Sequence, residues 1–502
     1  MSDTLGLQQF FAWFQRKISP QAFTRVALIL SGVWFLGVYP VLNYFAPRFL
    51  PGSLRVFSCD FGQYYAGATV AKNGIWDALY PIVRPGVYDN PPVFRPVYKT
   101  FLFDERKIDG RMGFYPTIAE GVGGEFSPKL LAYCPELAGS FHFICPPPLP
   151  LLLWPLAYFD YDTLENHLWP ILSMAALFGL SYFSSRIHRL LRGRASYTEG
   201  LIMAALVSFS LFGPLAVSNG NVTPILGCLV AFVAYGWMRG WQIGVGAAMI
   251  PLLLFKALGL NWCPLLLLRL IRWKTLLTMV FFTALLNGCL LFWVGTGVYR
   301  QYFLEILPKL TAPVGQGMVS EVFRLFGFFP SKVYFLLSLA LCLLLYFGYW
   351  KGPRAKSNGE RRAVIAATLA GAMAVFCLLN VSVQRAYFFV FLYFPFLGWM
   401  SWEARQAVGR WHRVIATGMM VFFVIIPFNW CIARALFYLC GPKSMEFYHG
   451  CISPLSVGVL LPLFFLVVAF RRLFFAPLVE TPVACAEREG LSAPGECNGP
   501  LR

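Results

Sequence analysis

The chain's 502 residues are 58% hydrophobic, 17% aromatic and only 13% charged, with a mean hydropathy of +0.63. A water-soluble protein of this length cannot hide so much apolar surface, so lipid is the implied solvent. The net charge of +18 clusters in short connectors between apolar runs, which is the pattern of membrane topology and anionic-lipid contact and sets nucleic-acid binding aside.

Taken in order, residues 1–25 read as a cytoplasmic N-terminal segment. Arg16, Lys17 and Arg25 precede an apolar run of transmembrane length without a small-residue cleavage site, so no cleavable signal is expected. About twelve transmembrane helices are predicted, at 26–45, 166–185, 199–217, 222–238, 242–258, 259–271, 275–296, 331–350, 363–381, 386–402, 413–433 and 453–470. The fold class is therefore an all-α polytopic membrane protein, with a membrane domain over 26–475 and a disordered cytoplasmic tail over 476–502. With the N-terminus inside, the connectors Arg186–Arg194, Arg239, Arg269–Lys274, Lys351–Arg362, Arg405–Arg413 and Arg471-Arg472 all fall inside, and all are basic. The location implied is a cell membrane, multi-pass. Residues 46–165 form a large first extracytoplasmic loop that carries interfacial helices. Within it, 146–160 reads as an interfacial or re-entrant helix, because a crossing there would put Arg186–Arg194 outside. Thirteen cysteines are scattered without a CxxC pair; Cys440 and Cys451 either pair or stay free thiols. No internal repeat is evident.

Chemistry-bearing residues gather on the outer side. Cys59-Asp60-Phe61-Gly62-Gln63-Tyr64-Tyr65 opens a helix expected to lie on the membrane surface. Asp60 at its N-terminal edge is either a cap or a base facing the active volume. Lys256, near the outer end of its span, is either an anion-binding ammonium or a snorkelling side chain. Arg324 and Arg385 are weaker cation candidates that also fit as helix-end anchors. Asn219, Asn221 and Thr223 either bind a sugar or cap the next helix. His142 is a second acid/base or an interfacial packing residue. Asp160-Tyr161-Asp162 spells a metal-binding DxD, but acids directly before a helix also cap it.

With these residues in view, the sequence resembles glycosyltransferase family 87, within the GT-C class of polytopic lipid-donor glycosyltransferases. The matching residues are Asp60-Phe61-Gly62-Gln63-Tyr64-Tyr65, Gly74, Tyr80-Pro81, Pro147-Pro148-Leu149, Gly220-Asn221 and Lys256. The likeness runs from residue 26 to about 275 and continues weakly through Gly315–Arg324. Where the family shows a His or aromatic pair in the tenth-span region, Gln384-Arg385-Ala386-Tyr387 stands here. The resemblance implies a GT-C-type fold. It also implies inverting transfer of a mannose- or arabinose-class sugar from a polyprenyl-phosphate donor to a hydroxyl on a glycolipid or glycan acceptor, with the active site facing outside the bacterial cytoplasmic membrane. Asp60 would be the base, and Lys256, Arg324 and Arg385 would hold the donor phosphate. Gln63, Tyr64, Tyr65, His142, Asn219 and Asn221 would bind substrate. No cofactor and no metal are expected. The rivals are a flippase or transporter of lipid-linked glycans, a polymerase or ligase using a diphosphate donor, and a non-catalytic scaffold. A transporter would want two related halves and mid-bilayer charge, a polymerase a late arginine-rich loop, and a scaffold no Asp60.

Overall fold

The computed structural model describes residues 13, 15–41, 59–80, 127–139, 145–212, 221–256, 273–306, 331–351, 358–380, 393–407, 409–419, 421, 439 and 460–475. Among these the secondary structure is helical, without strands. The long helices are α1 (Pro20–Val33), α5 (Trp169–Arg192), α6 (Tyr197–Phe212), α7 (Thr223–Arg239), α8 (Gln242–Lys256) and α9 (Trp273–Val294). They continue with α11 (Ser331–Lys351), α12 (Asn358–Asn380), α13 (Leu397–Gln406) and α14 (Leu461–Phe470). The other helices are α2 (Cys59–Asn73), itself fifteen residues long, and the short α3 (Pro128–Tyr133), α4 (Leu149–Leu153) and α10 (Gly297–Gln301).

Local chemistry sets the ends. The Ser19 hydroxyl accepts from Ala22 N–H at 3.2 Å, and Pro20 fills the first position of α1, where its missing N–H costs nothing. Helices α5 and α7 stop at Gly193 and Gly240, whose φ values of 74° and 80° a side chain would resist. Where the predicted second span, 166–185, ended in the apolar run, α5 continues through Arg186, Arg189 and Arg192 before that glycine stop.

Helices α5, α7 and α12 pack at the centre, with α6 against α1, α8 against α7 and α9, and α14 against α12. Among the described residues two helices qualify as membrane spans by length and apolarity, Pro20–Val41 and Trp273–Val294. In α9 the exposed tryptophans Trp273 and Trp293 stand twenty positions apart, a rise of about 30 Å, which is the hydrocarbon thickness. Each is placed as a headgroup anchor. The predicted sixth span, 259–271, lies outside the described residues, as do parts of the tenth to twelfth, the tail 476–502, and Cys440 and Cys451.

The basic connectors meet at one end of the bundle. Arg362 Nη1 donates to Leu190 O at 2.7 Å, tying α12 to the end of α5, and Arg405 donates to Thr198 at 2.9 Å, tying α13 to α6. Glu403, fully buried, is held by Arg471 at 3.3 Å and Arg472 at 2.9 Å and accepts from Trp399 Nε1 at 3.1 Å. This cluster clamps α13 to the end of α14. Nearby, Glu199 is buried against Arg186 at 3.3 Å and Arg189 at 3.8 Å.

At the opposite end sits α2. All ten residues from Phe61 to Val70 are buried, whereas the sequence pattern suggests a helix lying on the membrane surface. The reason is a roof: α3, the turn Pro135–Gly139, α4 and the following turn Trp154–Tyr158 pack over it. Lys72 closes its last turn by donating to Ala157 O at 2.7 Å. The helical run Leu149–Tyr158 has ten residues, about 15 Å of rise and half of a crossing. Leu149 and Leu153 are buried in a run that packs on α2, while Trp154 and Tyr158 stay exposed, as an interfacial segment requires.

The side assignment has a direct test. Lys129, exposed and salt-bridged to Asp77 at the α2 end, should accept a membrane-impermeant thiol reagent from outside intact cells when replaced by Cys in a background of pre-blocked native thiols. Labelling of Lys129→Cys only after lysis would invert the topology.

Candidate active site at the α2 end

Helix α2 is seated in an aromatic socket. Phe61 meets Tyr161 at 5.6 Å and Trp169 at 5.2 Å between ring centroids. Tyr64 stacks on Trp169 at 5.6 Å and meets Phe255 edge-on at 5.4 Å. Tyr65 meets Tyr161 at 5.2 Å and donates its hydroxyl to Phe159 O at 3.0 Å. Each such pair contributes about 0.5–1.5 kcal/mol beyond burial, so the position of α2 is strongly determined. Tyr80 completes the seat, donating to Cys145 O at 3.0 Å and packing on Tyr302 at 5.8 Å.

The predicted site residues fall out as follows. Asp60 is the second residue of α2, in its first turn, where the helix dipole favours a carboxylate. Lys256 ends α8, directly after the Phe255 ring that touches Tyr64. The socket thus brings the backbone of the Asp60 turn and of the Lys256 turn to the same end; the side chains of these two residues lie outside the described set. Gln63, Tyr64 and Tyr65 are buried in the socket. Asn221 Oδ1 accepts from Thr223 N–H at 2.9 Å and from the Thr223 hydroxyl, so it organises the first turn of α7. His142, Asn219, Arg324 and Arg385 lie outside the described residues.

Asp160 caps the turn Tyr161–Thr163, accepting from Thr163 N–H at 2.8 Å. That hydrogen bond holds its carboxyl below the usual range. Asp162 is exposed. Among the described residues no group of three His, Cys, Asp or Glu side chains is arranged to hold a metal.

One carboxylate escaped the sequence reading. Glu165 lies in a π-helical turn, Leu164–Leu168, that leads into α5; such turns are often found at functional sites. It stands four residues from both Tyr161 and Trp169, the two rings that touch Phe61 beside Asp60. It is half-buried, and a long hydrogen bond of 3.4 Å joins it to the Tyr161 hydroxyl. Burial, and then the nearby Asp162 charge, push its carboxyl up to about 7. The usable signal was the spacing Tyr161, Glu165, Trp169, which sets a carboxylate within an aromatic stripe. The consequence for stability has a definite sign. The folded state holds this proton more tightly than the unfolded chain, so stability falls as pH rises from about 4.5 to 7. Glu165→Gln, always neutral, should match wild type near pH 5 and unfold at a higher temperature than wild type at pH 8. An equal unfolding temperature at both pH values would show that Glu165 is solvated.

Residues 143–381 match the family model described as Glycosyltransferase family 87. No curated protein and no solved structure matches the chain. The matched stretch contains the socket residues Tyr161, Trp169 and Phe255, with Glu165, Asn221 and Lys256. It begins after α2, so Asp60 belongs to a helix that docks on the matched region from outside it.

Proposed function

Residues 143–381 being a glycosyltransferase family 87 domain, we propose that this glycosyltransferase moves a mannose- or arabinose-class sugar from a polyprenyl phosphate to a hydroxyl acceptor. The transfer inverts the anomeric centre and takes place at the outer face of the cytoplasmic membrane, on a glycolipid or glycan. The observation that carries this reading is the seating of α2 on the matched domain through Phe61, Tyr64 and Tyr65, which fixes the Asp60 turn beside the ends of α5 and α8.

Asp60 takes the proton of the acceptor hydroxyl. The oxygen attacks the anomeric carbon, the bond from that carbon to the phosphate oxygen breaks, and a phosphodiester leaves as a phosphomonoester. The leaving group gains negative charge, so cations in a low-dielectric site stabilise the transition state; Lys256, Arg324 and Arg385 are the residues assigned to that task. Gln63, Asn219, Asn221, Tyr64, Tyr65 and His142 shape the sugar and acceptor pocket. A second reading is favoured by Glu165: a carboxyl that titrates near 7 suits proton transfer at neutral pH, and it stands on the same socket.

A monophosphate donor needs no divalent clamp. Purified protein given polyprenyl-phosphate-linked mannose or arabinose and a membrane lipid extract should form glycosylated product in excess chelator. Activity that vanishes with chelator and returns with magnesium would reassign Asp160 and Asp162 as metal ligands. Transfer from a nucleotide sugar alone would overturn the lipid-donor reading.

A further inference from the structure

At the arginine end of the bundle, far from α2, a cavity of about 240 Å³ opens between α7, α8, α11 and α12. Its wall includes Arg239, Arg361, Arg362, Trp241, Gln242 and Tyr349, and among the described residues no acid lines it. Arg362 is partly committed to Leu190 O. Arg239 lies over the Tyr235 ring at 5.9 Å, and neither it nor Arg361 forms an ion pair with any described residue. Glu360, the neighbouring acid in the chain, lies within electrostatic range of Arg472. Gln242 Oε1 is buried with no hydrogen-bond partner among the described residues. The cavity therefore holds positive charge without its counter-charge, and an acceptor without its donor.

The depth of the cavity is marked by tryptophans. Trp241 lines it, Trp350 follows Tyr349, and Trp273 lies two residues before Thr275, which also lines it and donates to Gln242 O at 2.9 Å. All three indoles are exposed, as headgroup-level anchors are. Beside the cavity, apolar side chains face outward along α9 (Leu277, Val280, Phe281) and α11 (Leu343, Phe347). A guanidinium-lined cavity at headgroup depth next to exposed apolar helix faces has the chemistry of a lipid site.

We propose that this cavity binds the phosphate of an anionic phospholipid headgroup, with Arg239 and Arg361 as its principal ligands and the acyl chains laid along α9 or α11. A headgroup hydroxyl, as in a glycerol headgroup, satisfies Gln242 Oε1. Neutralising the pair of arginines supplies what the fold leaves open, so the bound lipid also ties α7–α8 to α11–α12. The proposal is independent of the catalytic reading, since the site lies at the other end of the bundle.

The test is lipid binding by the full chain in detergent, followed by thermal unfolding and by native mass spectrometry, with phosphatidylglycerol, phosphatidylcholine or inorganic phosphate added. Phosphatidylglycerol should raise the unfolding temperature of wild type and remain bound, and phosphatidylcholine should do neither. Arg239→Gln/Arg361→Gln, which breaks no ion pair among the described residues, should bind phosphatidylglycerol roughly 30-fold more weakly, equivalent to about 2 kcal/mol for two interfacial charges. Arg410→Gln/Arg413→Gln, which removes two exposed arginines elsewhere, should bind as wild type does. Equal protection of wild type by phosphatidylcholine, wild-type binding by the first variant, or equal losses in both variants would each overturn the site. Protection by inorganic phosphate that phosphatidylglycerol does not exceed would overturn the lipid assignment.

Discussion

Asp60→Asn should slow sugar transfer by about 10²–10⁴-fold, the usual cost of losing a positioned base, while the unfolding temperature stays near that of wild type. Asn matches Asp in size and serves a helix start almost as well, and the seat of α2 is built from Phe61, Tyr64 and Tyr65, none of which changes. The KM for the lipid donor should change little, because the base acts in the transition state and does not grip the lipid. The measurement is transfer by the purified variant in nanodiscs, with unfolding recorded alongside. A stable and fully active Asp60→Asn would remove the catalytic role and leave only the helix-start role. The parallel variant Glu165→Gln separates the two carboxylates. If Glu165 were the base, the large loss would appear there and the Asp60→Asn enzyme would keep its rate.

The second large effect is on stability. Glu403→Ala should destabilise the protein by about 3–5 kcal/mol, because it leaves Arg471 and Arg472, whose side chains are only 11% exposed, beside a vanished counter-charge. The loss also frees Trp399 Nε1 in the core. Denaturant-induced unfolding in mixed micelles reads this directly. Lys129→Ala, at the exposed bridge to Asp77, is the contrast and should change stability little. A Glu403→Ala protein as stable as wild type would mean that water reaches the cluster.

Both effects depend on contacts that differ in how visible they were beforehand. Helix existence followed from apolar length and from stop signals close in sequence. The expected span 222–238 became Thr223–Arg239, with Gly240 as its stop, and 275–296 became Trp273–Val294. The basic connectors were equally legible, since charge needs only one dimension to be read. Burial was not. Helix α2 carries Gln63, Tyr64, Tyr65 and Lys72, which look suited to an interface, and only the roof built from residues 128–158 explains why Phe61 to Val70 are enclosed. Glu403 meets partners almost seventy positions away, which no local pattern announces. Glu165 was hidden by its place at the margin of an apolar run, where a carboxylate reads as a span boundary.

The socket also sets a schedule for synthesis. The ring of Phe61 emerges from the ribosome long before Trp169, and longer still before Phe255, yet α2 is held by both of these later rings. At about 5–20 residues per second, the interval from Phe61 to Phe255 is roughly 10–40 s. Until then the seat of the helix bearing Asp60 lacks its Phe255 wall. A nascent chain halted before Phe255 would carry every residue of the 59–65 motif with Tyr64 missing its edge-on Phe255 partner. The aromatic lock that seats α2 therefore also works as a checkpoint on chain completion, closing fully only after the fifth predicted span has been made.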